Sequence, residues 1–185
     1  MLKKIALLLL LVLPMSLFAQ KFAYFKSESI IPVMPEYAKA QKDIQAQTKQ
    51  YEEEMKRYQE EFNKKFAAFQ QEQKTLPQNI LERRQKELGE LNEKVMQFQQ
   101  DAQQQLQKIY ADMMTPIYEK MEKAVKTVGK NGGYTLVFDL NRTDFPYFDE
   151  TQVKDITNDI KTNLGVSLTA VPFNPAQAGA AAGAR

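Results

Sequence analysis

Residues 36–75, EYAKAQKDIQAQTKQYEEEMKRYQEEFNKKFAAFQQEQKT, contain neither Gly nor Pro. Lys, Glu, Gln and Ala dominate, and all four are strong helix formers. Pro35 suits a first helical turn, so a helix is predicted to start near Glu36. Its apolar residues repeat by sevens in two series. One is Tyr37, Ile44, Tyr51, Tyr58; the other is Met55, Phe62, Phe69, Leu76. The series interleave at spacings of three and four, the pattern of a coiled-coil seam. Phe66 lies beside Phe62 and Phe69 and widens the stripe. The helix would be about 60 Å long.

Leu76-Pro77-Gln78-Asn79 interrupts the pattern, because the residue before a proline is biased away from helix. The repeat resumes through Leu88, Leu91, Val95, Phe98, Ala102, Leu106, Ile109, Met113, Ile117, Met121, Ala124 and Val128. More spacings of four appear toward its end, so the supercoil should relax there. Pro116 should kink this second helix or mark its joint with the rest. Asn131-Gly132-Gly133 is a helix stop. Two such helices can form an antiparallel hairpin or run on as one rod. Pro77 and the matching seam lengths favour the hairpin.

The flanks are different in kind. Lys21-Phe22-Ala23-Tyr24-Phe25-Lys26 is aromatic-rich and partly alternating, as a strand is. Tyr134 to Leu140 is dense in β-branched and aromatic residues, which predicts a second strand. Phe145-Pro146-Tyr147-Phe148 fits a short edge strand. Asp149 or Thr151 can cap a last helix running to about Leu164, with Val153, Ile156, Ile160 and Leu164 on one face. Residues from Ser167 on, with an Ala/Gly tail to Arg185, are predicted to be disordered. The result is an α+β chain, mainly α. Residues 20–33 and 132–164 form a small β-rich body. Residues 34–131 form the hairpin, with its tip near 75–79, and 165–185 form the tail. A body of this size is marginal without a staple, and the chain has no Cys. Oligomerisation is the remaining remedy.

Residues 1–19 read as a secretory signal peptide. Lys3 and Lys4 precede an aliphatic run of about ten residues, and Ala19 is a small residue at the cut. The run is too short for a membrane span. Removing residues 1–19 takes away two Lys and no acid. The net charge of +2 then becomes 23 basic against 23 acidic residues, or zero. That balance argues against nucleic-acid binding. The absence of His and Cys removes Cys/His zinc sites, Cys nucleophiles and Ser-His-Asp triads. No metal, cofactor or catalytic residue is expected.

The layout resembles the Skp/OmpH family of periplasmic chaperones over nearly all of residues 20–164. The most specific piece is Val153-Lys154-Asp155-Ile156-Thr157-Asn158-Asp159-Ile160, which looks like the family's C-terminal helix. Leu136-Val137-Phe138-Asp139 looks like its central strand, and Lys21 to Lys26 matches its opening strand. The resemblance implies a jellyfish-like homotrimer in which three hairpin tentacles project from a β-rich body around a cavity. It implies a periplasmic, ATP-independent holdase that shields unfolded outer-membrane β-barrel proteins. On this view Phe22, Tyr24, Leu136, Phe138, Ile156 and Ile160 are candidates for trimerisation.

A holdase needs many weak, adaptable apolar contacts, which Met and aromatic side chains supply. Phe62, Phe66, Phe69, Phe98, Met55 and Met96 are the client-binding candidates. All of them could instead close the seam of their own hairpin; Phe66 and Met96 lie off the strict seam. Lys64, Lys65, Lys74, Arg83, Arg84 and Lys86 stand against Glu72 and Glu82 within 64–86, a local +4. Residues 132–164 carry −3. A positive tip could attract acidic clients or anionic membrane lipid, or be only a solvated helix surface. The neutral chain departs from the family's strongly basic members, and no lipopolysaccharide contact is carried over. The alternative function is a structural coiled-coil protein of the cell envelope without chaperone activity.

Overall fold

The computed structural model describes residues 20–174. Residues 1–19, predicted above to be a signal peptide, and residues 175–185 of the predicted tail lie outside the described residues. In chain order the elements are β1 (Lys21–Phe25), α1 (Ser27–Ile30), a 3-10 turn (Ile31–Val33) and α2 (Pro35–Glu72). Then come α3 (Gln78–Gly132), β2 (Tyr134–Asp139), β3 (Val153–Asp155) and α4 (Thr157–Asn163). The chain is mainly helical with one small sheet. It divides into two compact units, residues 20–31 with 120–170, and residues 32–119 with 171–174. Among the described residues no helix is long and apolar enough to cross a membrane.

In the first unit β1 is the central strand, and β2 and β3 pair with it in parallel on either side. Phe22 aligns with Leu136, and Tyr24 with Phe138. Register partners in a parallel pair share a face, so the sheet has two unlike sides. Ala23 and Phe25 are buried on one side. Val137 is on the same side, and a Cβ on Gly129 of α3 would come within 3.3 Å of it. The last turn of α3 thus reaches this face, and Met121 and Ala124 earlier in α3 are also buried. The sheet unit therefore takes α3 from Lys120 on, a stretch that the sequence assigned to the hairpin. Gly133, at φ +67°, ends α3 in the left-handed conformation that only glycine adopts freely, and β2 starts at the next residue.

Side chains tie the corner after β1 to the far end of the chain. Asp139 Oδ1 accepts the Ser27 N–H at 3.2 Å, and Asn141 Oδ1 accepts the Glu28 N–H at 3.3 Å. Both cap the N-terminus of α1. Thr157 Oγ1 accepts the Lys26 N–H at 3.1 Å.

Three expectations are corrected here. The last helix does not begin near Asp149. Val153–Asp155 forms β3, because pairing with β1 satisfies backbone groups that a helix would otherwise satisfy internally. Asp155 Oδ1 then accepts the Thr157 N–H at 2.9 Å and caps α4. Asp149 instead closes a turn with the Thr151 N–H at 2.9 Å and hydroxyl at 2.7 Å. Second, Phe145-Pro146-Tyr147-Phe148 forms no strand. Pro146 lacks a donor, and the rings of Phe145 and Phe148 fold over Phe138, at 4.4 and 5.6 Å between centroids. Third, residues 167–174 are not free of structure. The Phe173 N–H donates to the Pro32 carbonyl at 2.8 Å, and its ring meets Tyr37 edge-on at 6.4 Å.

In the second unit α2 and α3 form an antiparallel hairpin. Tyr51 and Tyr58 both pack on Phe98, with centroids 6.1 and 5.1 Å apart. Ile44 and Thr48 share a hollow with Leu106 and Tyr110, and Phe69 shares one with Leu88. Partners on α3 thus fall in number as those on α2 rise, which excludes the continuous rod. Pro116 lies within α3, which remains helical through it. Pairs such as Lys49–Glu53, Lys56–Glu60 and Lys86–Glu90 run along the exposed surface. Each contributes only a few tenths of a kcal/mol, so burial at the seam carries most of the hairpin's stability.

Candidate binding surfaces

The hairpin's apolar side chains separate by exposure. Met55, Phe62, Phe69 and Phe98 are half-buried. Phe98 lies between Tyr51 and Tyr58, and Lys94 Nζ sits 4.7 Å above the Tyr58 ring. Phe66 and Met96 are 42% and 60% exposed. Phe62 stacks on Phe66 at 5.8 Å, and the Asn92 amide donates to the Met96 sulfur at 3.7 Å.

The seam between the helices is not filled. A hollow of about 660 Å³ is bounded by Tyr51, Met55, Val95, Ala102 and Leu106 with polar neighbours. A second, of about 410 Å³, adjoins it at Gln103 and Leu106. Sequence periodicity identified the seam but not these hollows. They arise where Ala102 and Thr48 hold positions that a closed seam would give to larger residues.

The tip is mixed in charge rather than positive. Lys65 pairs with Glu61 at 3.2 Å, Arg83 and Arg84 with Glu87 at 3.7 and 3.5 Å, and Lys86 with Glu90 at 3.6 Å. Those glutamates lie just outside 64–86. Counting 60–90 gives six basic residues against Glu60, Glu61, Glu72, Glu82, Glu87 and Glu90, and the +4 becomes zero. Lys64 and Lys74 make no ion pair among the described residues. A tip hollow of about 270 Å³ is lined by Lys64, Lys65 and Arg84, but equally by Glu61, Glu72 and Glu87.

The open side of the sheet is the other candidate surface. Phe22, Tyr24 and Phe138 are half-buried there, and Leu136 is 49% exposed. Tyr24 contacts Phe138 and Phe148 at 6.2 and 5.4 Å. Burial, then the charges of Asp155 and Glu150, push the Tyr24 hydroxyl pKa up. A hydrogen bond to Asp159, with help from Tyr134, raises that of Lys154. Ile156 and Ile160 must be removed from the trimerisation candidates. Both are 0% exposed within the single chain and have no surface left for a partner. The Ile156/Ile160 pair belongs to an internal core, whereas Val153 is buried on the sheet face it shares with Phe22. Asp139 Oδ2, beside this sheet, is buried with no hydrogen-bond partner among the described residues.

Residues 21–164 match the family described as outer membrane protein (OmpH-like). The chain belongs to the OmpH-like family. The family match spans both strands that flank the hairpin, the hairpin itself and α4. An OmpH-like protein from Caulobacter crescentus CB15, provisionally called an outer membrane chaperone, has a similar crystal structure. Its TM-score is 0.65 at 13% identity, over 84% of this chain and 89% of that one. At that identity the likeness concerns the fold. No curated protein matches the sequence.

Proposed function

We propose that this OmpH-like protein is an ATP-independent periplasmic holdase for unfolded outer-membrane β-barrel proteins, working as a homotrimer with its signal peptide cleaved after about Ala19. The observation that carries the proposal is the exposure of large, adaptable apolar side chains, Phe66 and Met96, on the hairpin. Each contact would contribute little; several hairpins acting on one client would give affinity by multivalency. No cofactor or metal takes part. Release would be driven by the stability the client gains on folding into the membrane.

Trimerisation would use the open sheet face of Phe22, Tyr24, Leu136 and Phe138. A three-stranded sheet with both edge strands free is marginal alone, and this apolar side gives it a surface to bury. The neutral tip makes contact with anionic lipid a secondary matter.

Sedimentation velocity of the mature chain tests this directly. It should sediment as three copies, and an unfolded barrel protein diluted from urea should move with it as one soluble species. A client that pellets alone, beside an unchanged OmpH-like protein, would favour a structural envelope role instead.

A further inference from the structure

The two edges of the hairpin seam are unlike. On one, Tyr58, Phe98 and Lys94 close the gap between the helices. On the other, two hollows share Gln103 and Leu106 and so form one groove. Its floor is apolar, with Ile44, Met55, Ala102 and Leu106. Its rim is rich in amides, with Gln59, Gln99, Gln103 and Gln107.

Helical phase places the exposed apolar side chains on this same edge. Phe66 follows Met55 by eleven residues, or about three turns, and Met96 precedes Gln103 by seven, about two turns. Tyr110 lines the groove itself. Of the large apolar side chains left exposed on α2 and α3, namely Phe66, Met96, Tyr110 and Tyr118, the first three therefore lie on the groove's edge of the hairpin, Tyr110 within the groove and Phe66 about two turns beyond Gln59.

We infer that this groove binds an extended segment of unfolded polypeptide whose apolar residues alternate with polar ones. The inference deepens the holdase proposal and rests on it. From Ile44 to Gln59 the groove runs about 22 Å along α2. That length fits about seven residues of extended chain, so three or four alternate side chains would face the floor. An extended segment brings unpaired backbone N–H and C=O groups with it. Glutamine amides both donate and accept, so the rim can satisfy that backbone whatever its sequence. A docked helix has no such groups to satisfy and would leave the amides without a role. Glu52 and Lys56 offset one another in the lining, so the groove does not select on client charge.

The chain has no Cys, so one introduced thiol is unique. Gln103→Cys lies in the groove, and Gln105→Cys lies two residues on, on the closed edge. Each would carry a benzophenone maleimide and be photolysed with an unfolded barrel protein, and separately with a synthetic ten-residue peptide alternating Leu and Ser. Crosslinks to both probes should be at least about fivefold more abundant from Gln103→Cys, and Ala102→Leu, which fills the floor, should weaken peptide binding about fivefold. Equal yields from both sites, or crosslinks from Gln103→Cys only to a second copy or to residues 175–185 of its own chain, overturn the inference. Aggregation suppression by the unlabelled protein is read in parallel. Suppression without groove crosslinks rejects the groove alone, whereas groove crosslinks to the peptide without suppression reject the holdase proposal.

Discussion

Tyr58 meets Phe98 edge-on across the hairpin, with ring centroids 5.1 Å apart. This contact sets the register of the two long helices, because Phe98 also holds Tyr51. Truncating Phe98 to Ala removes both contacts and leaves a gap at mid-seam. A fully buried Phe→Ala change costs about 3–5 kcal/mol; for the half-buried Phe98 the expected cost is about 2 kcal/mol. Thermal unfolding followed by far-UV circular dichroism should show the helical transition moving to lower temperature. An unchanged midpoint would mean that the seam is held elsewhere.

Leu136 and Ile160 should behave oppositely. Leu136 is half-exposed on the open sheet face, while Ile160 is wholly buried in its own chain. Leu136→Asp should leave the secondary structure intact but dissociate the proposed trimer, as read by light scattering. Ile160→Ala should cost about 2–5 kcal/mol and destabilise the sheet unit itself. Dissociation of a fully folded Ile160→Ala chain would restore that residue to the interface.

Tyr24 gives a pH dependence with a definite sign. Its hydroxyl pKa is raised by burial first and then by Asp155 and Glu150. The native state therefore holds this proton more tightly than the unfolded chain does. Its contribution is fully present below about pH 10, the ordinary tyrosine value, and is lost as pH rises through the raised native value. Urea midpoints at pH 8 and pH 11 should differ more for the wild-type chain than for Tyr24→Phe. An equal or greater loss in Tyr24→Phe would contradict the assignment.

The mixed charge of the tip predicts weak salt dependence. Raising NaCl from 50 to 500 mM should change client affinity by less than about threefold, because screening acts on a surface with no net charge. A steep fall in affinity with salt would show that Lys64 and Lys74 dominate despite the flanking glutamates.

The long helices and their seam were legible because a local signal, spacing of three and four, repeats over many turns. β3 was not. Val153, Ile156 and Ile160 lie three and four apart, so they imitate a helix face, while pairing of Val153 with Phe22 joins residues far apart in the chain. Phe145–Phe148 has the composition of a strand, but no neighbouring strand takes it up. Composition also misled at the tip, where a window ending at Lys86 stopped one residue short of Glu87. Phe66 and Met96 stood out in the sequence by lying off the seam. The groove beside them could not be read there, since it depends on which residues fail to fill the space between two helices.

The most direct measurement of the central claim is turbidity. An outer-membrane barrel protein unfolded in urea is diluted into buffer with and without the mature chain, at a slight molar excess of trimer. The holdase account predicts that scattering stays near baseline in its presence, without nucleotide, and rises in its absence. Scattering that rises equally in both would contradict the account.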